Sequence, residues 1–402
     1  MTYVPPGGYR TPKAPYSRSP NYLPALIGKM RAALPASNSL LGPLGIVGTK
    51  GAAPAASIAS AINYMLRTAS FATDNLRSFK VAWANWYANE QVPANASVLT
   101  ISASIEYPAG TFTQIKFGGA VSGSAPAGTT LFSDFINLNI PNGAQFWVRY
   151  FMSTSATLCY AGAGVPNVTL GEACSQGGTN QTMGGIVPNN ANLLLPFLGI
   201  FGPTKKRSIV IIGDSRQAGF DDNFLAANGA YGEMPTGLNQ YGWINLGISG
   251  AQGSQYLSSA GPLRAQIIGF CTDLVNAYGV NDIFIGGASN AALKATQTSI
   301  ATLYPTKRSF LTTIDPETNS TDNWATLVNQ TVHAQEAVRV AYNTDVRAGT
   351  VPGYIGSFDC AAVSESSLNS GKWKVDGTAN KYTLDGVHQS PFCYRLYSFA
   401  LP

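Results

Sequence analysis

The feature that most constrains this chain is a change of hydrophobic period near residue 205. Before it, Leu99, Ile101, Ala103, Ile105 and Tyr107 alternate with small polar residues, and Phe146, Val148, Tyr150 and Met152 recur at every second position. A period of two places one set of side chains on one face of a half-buried strand. Turn signals separate these runs at Pro108-Ala109-Gly110, Ser124 to Gly128 and Pro141-Asn142-Gly143. Short strands at this spacing predict an antiparallel β-sandwich over 71–203. After residue 205 come short apolar strands at Ser208–Ile212, Asp273–Tyr278 and Phe310–Ile314, with a weaker one at Tyr354–Phe358. Helical stretches lie between them; in one, Ala334, Val338, Ala341 and Tyr342 share a face. Strands alternating with helices predict an α/β domain over 204–402, a parallel sheet covered on both faces, with its site at the C-terminal strand ends.

Residues 1–70 read as an extended arm. Prolines at 5, 6, 12, 15, 20 and 24 prevent regular structure at the start, and Ala, Ser, Gly and Pro stay frequent through Ser60. A short helix is expected near Ser57 to Thr68, where Ile58, Ala61, Ile62 and Leu66 share a face. Alone, such an arm has little core to bury, so it is expected to be disordered or held by a partner, and it is a candidate anchor. Gly162 to Asn192, rich in Gly, Asn and Thr, reads as long loops. At the boundary, Gly202-Pro203-Thr204-Lys205-Lys206 is a breaker followed by charges, and Lys205, Lys206 and Arg207 read as a solvated linker.

Composition narrows the function classes. Charged residues make up 11% of the 402, against about 25% in an average globular protein. The polar surface must then come from Ser, Thr, Asn, Gln and Gly, a balance that suits exported or virion-exposed β-rich proteins. A net charge of +5 without a basic run gives no nucleic-acid footprint. No uninterrupted apolar run of about 18 residues predicts a membrane span, and residues 1–20 lack the apolar core of a secretory signal. None of the five cysteines forms a CxxC pair, so no zinc site is expected. Cys159 and Cys174 could pair in a loop-rich stretch, although an odd total favours buried free thiols.

The chemistry gathers at strand ends after residue 205. Ile209-Val210-Ile211-Ile212-Gly213-Asp214-Ser215 places a serine just behind a strand and a glycine, on a tight turn that would expose its hydroxyl. Asn245-Leu246-Gly247-Ile248-Ser249-Gly250 and Tyr278-Gly279-Val280-Asn281-Asp282 follow in the same setting. Near the C-terminus, Asp385-Gly386-Val387-His388 spaces a carboxylate three residues before one of the two histidines. A single turn brings that carboxylate to the ring, fixes the tautomer and leaves the other nitrogen for Ser215. The other histidine, His333, among Gln330, Gln335 and Glu336, reads as an ordinary helix residue.

These four segments, in this order, resemble the SGNH (GDSL-like) hydrolases over residues 205–402. The nucleophile block is Gly213-Asp214-Ser215, the glycine block Ser249-Gly250, the Gly-x-Asn-Asp block Gly279 to Asp282 and the Asp-x-x-His block Asp385 to His388. Leu311-Thr312-Thr313-Ile314 resembles the family's later core strand, and Glu336 to Arg347 its amphipathic helix. The resemblance implies a flavodoxin-like three-layer fold and ester hydrolysis without a cofactor or metal. Carried over, Ser215 is the nucleophile, His388 the general base and then acid, and Asp385 its orienting partner. The oxyanion hole is the N–H of Ser215, the N–H of Gly250 and the amide of Asn281, with Gly247 second in the glycine block. Asp214 shapes the turn and Asp282 packs or caps. Arg216-Gln217 departs from the small or hydrophobic residues usual after the serine.

Phe79 to Tyr87, with Trp83, Trp86 and Tyr87, and Phe146-Trp147-Val148-Arg149 loosely resemble β-sandwich modules ahead of such domains in bacteriophage and prophage proteins. That implies a virion component, such as a receptor-binding or tail-spike protein, that removes O-acetyl groups from a host polysaccharide. Its partners would be the acylated polysaccharide, and virion proteins or sister subunits through the arm. It would act in the virion or outside the cell, and a cytoplasmic location stays open. The aromatics would stack on sugars if exposed, but filling the sandwich core is the favoured expectation. Two further readings are an esterase of small acyl esters or lipids, and a structural or adhesion module with a vestigial site.

Overall fold

A computed structural model describes residues 43–400 apart from 55, 60–62, 89–92, 95–97, 155–156, 161–164, 192–195, 224–228 and 239. Most of the arm therefore lies outside the described residues. Among these residues no helix is long and apolar enough to cross a membrane.

Strand Ser208–Gly213 is buried along its whole length and sits inside a six-stranded sheet. Its six residues carry three β-branched isoleucines and a valine, which suit an extended strand covered on both faces. It pairs in parallel with Gly242–Asn245 on one side and Asp273–Ala277 on the other. Beyond Asp273–Ala277 come Arg308–Thr312 and then Gly356–Phe358, also parallel. The second strand in the chain thus lies on one side of the first and the third on the other. The turns leaving these three strands face one another at this reversal of strand order, the crevice where such sheets hold their sites. The strands fall close to the expected segments, and helix Glu336–Arg347 matches the expected one. Its buried face is set by Arg339, Tyr342, Asn343 and Val346, so of the four residues expected on that face only Tyr342 is fully covered.

Two antiparallel sheets precede it. One joins Leu44–Ile46, Gly199–Pro203, Leu76–Asn85 and Thr129–Phe132; the other joins Ser122–Ala125, Leu99–Glu106, Gln145–Ser153, Tyr64–Phe71 and Ala173–Gln176. Phe79, Val81 and Trp83 from the first share a buried cluster with Leu66, Ile101, Ile105, Phe146, Val148 and Tyr150 from the second. Trp83 meets Tyr150 edge-on at 5.9 Å between ring centroids, a favourable aromatic geometry. Trp83 and Trp86 are fully buried, so neither offers a face to a sugar. The side chain of Tyr87 lies outside the described residues.

Three expectations are corrected. The helix near Ser57 to Thr68 is absent: Ala56–Ala59 and Tyr64–Phe71 are strands. Tyr64–Phe71 pairs with eight residues of Gln145–Ser153 on one edge and with Ala173–Gln176 on the other, and two ladders outweigh the weak helical period. Ala173–Gln176 likewise interrupts the stretch expected to be loops. Cys174 is a free, buried thiol, as the odd cysteine total favoured, and is not paired with Cys159. The basic cluster is a solvated linker only in part: Lys205 and Lys206 are exposed, but the cluster is tied to the folded strands. Arg207 grips the buried Asp273 at 2.9 and 3.1 Å, and the Lys206 ammonium donates to the Thr73 carbonyl at 2.7 Å.

Nor is the stretch 43–70 a coreless arm. Gly51–Ala52 adds a sixth strand to the parallel sheet beside Gly242–Asn245. Ser208 Oγ accepts from Ile46 N–H at 2.9 Å and donates to Ile46 C=O at 3.2 Å. A Cβ on Gly51 would stand 2.5 Å from the Leu198 carbonyl, so only glycine permits that approach. The parallel sheet is therefore completed by residues from before the boundary expected at 204. A fragment of residues 204–402 should unfold at least about 5–10 °C below the full chain, or be recovered as aggregate, because several kcal/mol of edge pairing and burial are lost. Thermal unfolding followed by circular dichroism reads this, and an equal Tm would contradict the shared-sheet account.

Candidate active site

Gly213 ends the central strand, and Asp214 caps the short helix Ser215–Ala218 by accepting from Arg216 N–H at 3.0 Å. Ser215 is the first helical residue, where the backbone N–H has no intrahelical partner. Burial pushes the Asp214 carboxyl up to about 6. Ser215 is 6% exposed. Its Oγ lies 2.8 Å from His388 Nε2, and His388 Nδ1 lies 2.7 Å from Asp385 Oδ2.

Local chemistry explains the second half of that chain. Asp385 Oδ1 accepts the N–H groups of Val387 at 2.8 Å and His388 at 2.7 Å. The turn thus folds around its own carboxylate, leaving Oδ2 for the ring. Thr383 Oγ1 accepts from Gly386 N–H and donates to the His388 carbonyl, which closes the turn. Burial works to raise the Asp385 pKa, but the hydrogen bond and charge of His388 and the two N–H donors outweigh it and hold the carboxyl below its usual value. An ionised Asp385 accepts from Nδ1–H, so Nε2 is left as the acceptor facing Ser215.

The glycine block and the Asn block reach the same strand ends. Ile248 N–H donates to the Gly213 carbonyl at 3.1 Å, which draws the glycine block to the Ser215 turn. Gly250 adopts φ +79°, a left-handed conformation suited to glycine, and its N–H makes no hydrogen bond among the described residues. Asn281 Nδ2 donates to the Ala251 carbonyl at 3.1 Å, which orients the amide and leaves its second N–H free. Gly247 N–H is spent on Asn245 Oδ1 at 3.0 Å, so it offers no donor to a ligand. Asp282 caps the helix at Gly253 by accepting from Gly253 N–H at 3.0 Å. Three N–H groups and one serine–histidine–aspartate chain can thus serve an acyl transfer.

Several contributors gave no motif. Arg216, 3% exposed, donates to the carbonyls of Val387 at 2.9 Å, Asp315 at 3.2 Å and Pro316 at 3.1 Å. It ties helix Ser215–Ala218 to the residue before His388. Its charge faces Asp315 at 3.6 Å. Behind it, Gln389 bridges Glu233, Asp315 and Tyr397, and burial followed by the charge of Asp315 pushes Glu233 well above the usual carboxylate range. Phe220 packs on the His388 ring with centroids 4.4 Å apart. His333 is not in a helix. It follows strand Gln330–Val332, its N–H bonds the Glu317 carbonyl, and its ring meets Phe284 at 4.7 Å. Glu317 follows Arg308–Thr312, the kind of strand end at which a site residue is to be sought.

Among the described residues, Asp221, Asp385 and His388 are a group whose ligating atoms all lie within 4.8 Å of one another. Two of the three are already hydrogen-bonded to each other, so the set reads as the histidine's acidic surroundings and not as a cation cage.

Arg216→Ala should cost about 3–5 kcal/mol of stability, because it leaves Asp315 buried without its cation. Arg216→Lys keeps the charge but not the planar fork that spans three carbonyls, and should lower kcat more than it changes KM. Urea unfolding and steady-state kinetics check both; wild-type stability in the alanine variant would show that the clamp carries no load.

No protein-family profile matches the chain, and no curated protein matches it. Among solved structures the chain is similar to a GDSL-like lipase from Bacteroides thetaiotaomicron, at 19% identity over 48% of this chain and 84% of that one, with a TM-score of 0.34. It is also similar to a member of the lipolytic G-D-S-L family from Veillonella parvula, at 14% identity over 48% of this chain and 94% of that one, TM-score 0.33. A salicylyl-acyltransferase from a tetracycline biosynthetic pathway is similar over 84% of this chain and 80% of its own, at 11% identity and a TM-score of 0.33.

Proposed function

We propose that the protein is a serine esterase that removes short acyl groups, chiefly acetyl, from a hydroxyl-rich polymer such as a polysaccharide. The observation that carries the reading is the unbroken hydrogen-bond chain Ser215 Oγ–His388 Nε2 and Nδ1–Asp385 Oδ2, at 2.8 and 2.7 Å.

In this reading Ser215 Oγ attacks the ester carbonyl while Nε2 takes its proton. The imidazolium is stabilised by Asp385, which stays ionised. The oxyanion is held by the N–H groups of Ser215 and Gly250 and by the free amide N–H of Asn281. His388 then returns the proton to the leaving alcohol oxygen, the C–O bond breaks, and an acyl-serine forms. Water, deprotonated by Nε2, attacks that acyl group; the carboxylic acid leaves and Ser215 regains its proton. Each step needs only groups already in place, with no redox partner.

Ser215→Ala should remove ester turnover by about a thousand-fold or more while the fold persists. Hydrolysis of p-nitrophenyl acetate reads this, and a folded variant that keeps most of its activity would sink the nucleophile assignment. Asn281→Ala removes a donor that acts only as charge develops, so kcat should fall roughly a hundred-fold, about 3 kcal/mol, with little change in KM. A change confined to KM would make Asn281 a substrate contact. Acetate should also be preferred to octanoate in a p-nitrophenyl ester series; the reverse order would favour the lipid-esterase reading.

A further inference from the structure

The leaving alcohol must bring its oxygen within hydrogen-bond reach of His388 Nε2, the atom that protonates it. Side chains packed about His388 are therefore the place to look for contacts with the alcohol. The aromatic face there is Phe220, packed on the imidazole at 4.4 Å and still 39% exposed. It is held in place: its N–H bonds the Ser215 carbonyl at 3.0 Å, and its own carbonyl accepts from the Tyr394 hydroxyl at 2.9 Å.

Two carboxylates accompany it. Asp221, in the left-handed region at φ 64°, has its carboxylate within 4.8 Å of the ligating atoms of both His388 and Asp385. Glu317 is placed from three sides. Arg216 holds the carbonyl of Pro316 before it at 3.1 Å, Thr318 after it donates to the Gly386 carbonyl at 3.0 Å, and its own carbonyl accepts from His333 N–H at 3.1 Å. Both carboxylates are half-buried, yet neither makes a side-chain hydrogen bond or ion pair among the described residues. Burial pushes both carboxyls above their usual values. The arginine whose charge acts on Glu317, Arg216, is already taken up by Asp315 and three carbonyls.

An aromatic face with the unspent Asp221 carboxylate beside the same histidine, and with Glu317 on the segment tied to both Arg216 and Gly386, is a poor seat for a phosphate, an acidic sugar or a long aliphatic chain. It suits a ring whose C–H face packs on Phe220 and whose hydroxyls donate to carboxylate oxygens, charge-assisted bonds stronger than neutral ones. Resting on the esterase reading above, we infer that Phe220, Asp221 and Glu317 form the alcohol-side subsite and select an uncharged, polyhydroxylated leaving group, a neutral sugar. His333 backs the subsite by fixing the Glu317 backbone.

The experiment uses the full chain and two acetate esters with the same acyl group, 6-O-acetylglucose and n-butyl acetate. The readout is the ratio of their kcat/KM values, which a partly misfolded preparation leaves unchanged because both rates fall together. Glu317→Ala and Asp221→Ala should each lower the sugar-to-butyl ratio by about ten-fold or more, the loss expected for one hydrogen bond to a charged group. A ratio within about two-fold of wild type in both variants overturns the subsite, as does a wild-type enzyme that hydrolyses butyl acetate but not the sugar ester. Failure of the wild type on both esters instead removes the esterase reading itself.

Discussion

The Arg216 guanidinium is almost sealed from solvent, yet it reaches three carbonyls on two separate segments, at Val387 and at Asp315-Pro316. A buried charge of this kind is tolerable only when every donor is matched and an opposite charge stands close, here Asp315 at 3.6 Å. The consequence is geometric. Ser215 and His388 lie 173 residues apart in the chain, and a backbone clamp one residue from each fixes their separation. The departure from the usual residue after the serine thus has a structural purpose that its position in the sequence does not announce.

The sheet supplies the other half of the geometry. Because the strand order reverses at Ser208–Gly213, the turns after Gly213, Asn245 and Ala277 open onto one crevice. Ser215, the Gly250 N–H and the Asn281 amide are then delivered by backbone that the core holds in place. His388 arrives last, on a turn organised by Asp385, Thr383 and the Trp373 indole, whose N–H bonds the Gly386 carbonyl at 2.9 Å. In the esterase reading, donors supplied by fixed backbone, with His388 on a separately braced turn, meet the need of acyl transfer for a preorganised site.

Legibility in the sequence followed the strength of local signals. The strand Ser208–Gly213 announces itself by an unbroken apolar run, and Gln145–Ser153 by strict alternation. Asp385 and His388 could be paired because a three-residue spacing fixes their distance with little help from the rest of the fold. The stretch from 43 to 71 was illegible for a specific reason. It is rich in Ala and Gly, which reads as a linker, yet Gly51 is small because backbone from Leu198 packs against it. Ser208 Oγ and Ile46 likewise join residues 162 apart. Phe220, Asp221, Glu317 and the clamp of Arg216 were equally hidden, since each acquires its role from a neighbour brought close only by the tertiary fold.

The most direct test of the central claim is chemical trapping of the nucleophile. The full chain is incubated with an organophosphonate that mimics the tetrahedral intermediate, digested and mapped by mass spectrometry. The account predicts one stoichiometric phosphonyl adduct, on Ser215, formed far more slowly in His388→Ala. An adduct on another residue, or labelling of Ser215 at the same rate without His388, would contradict it.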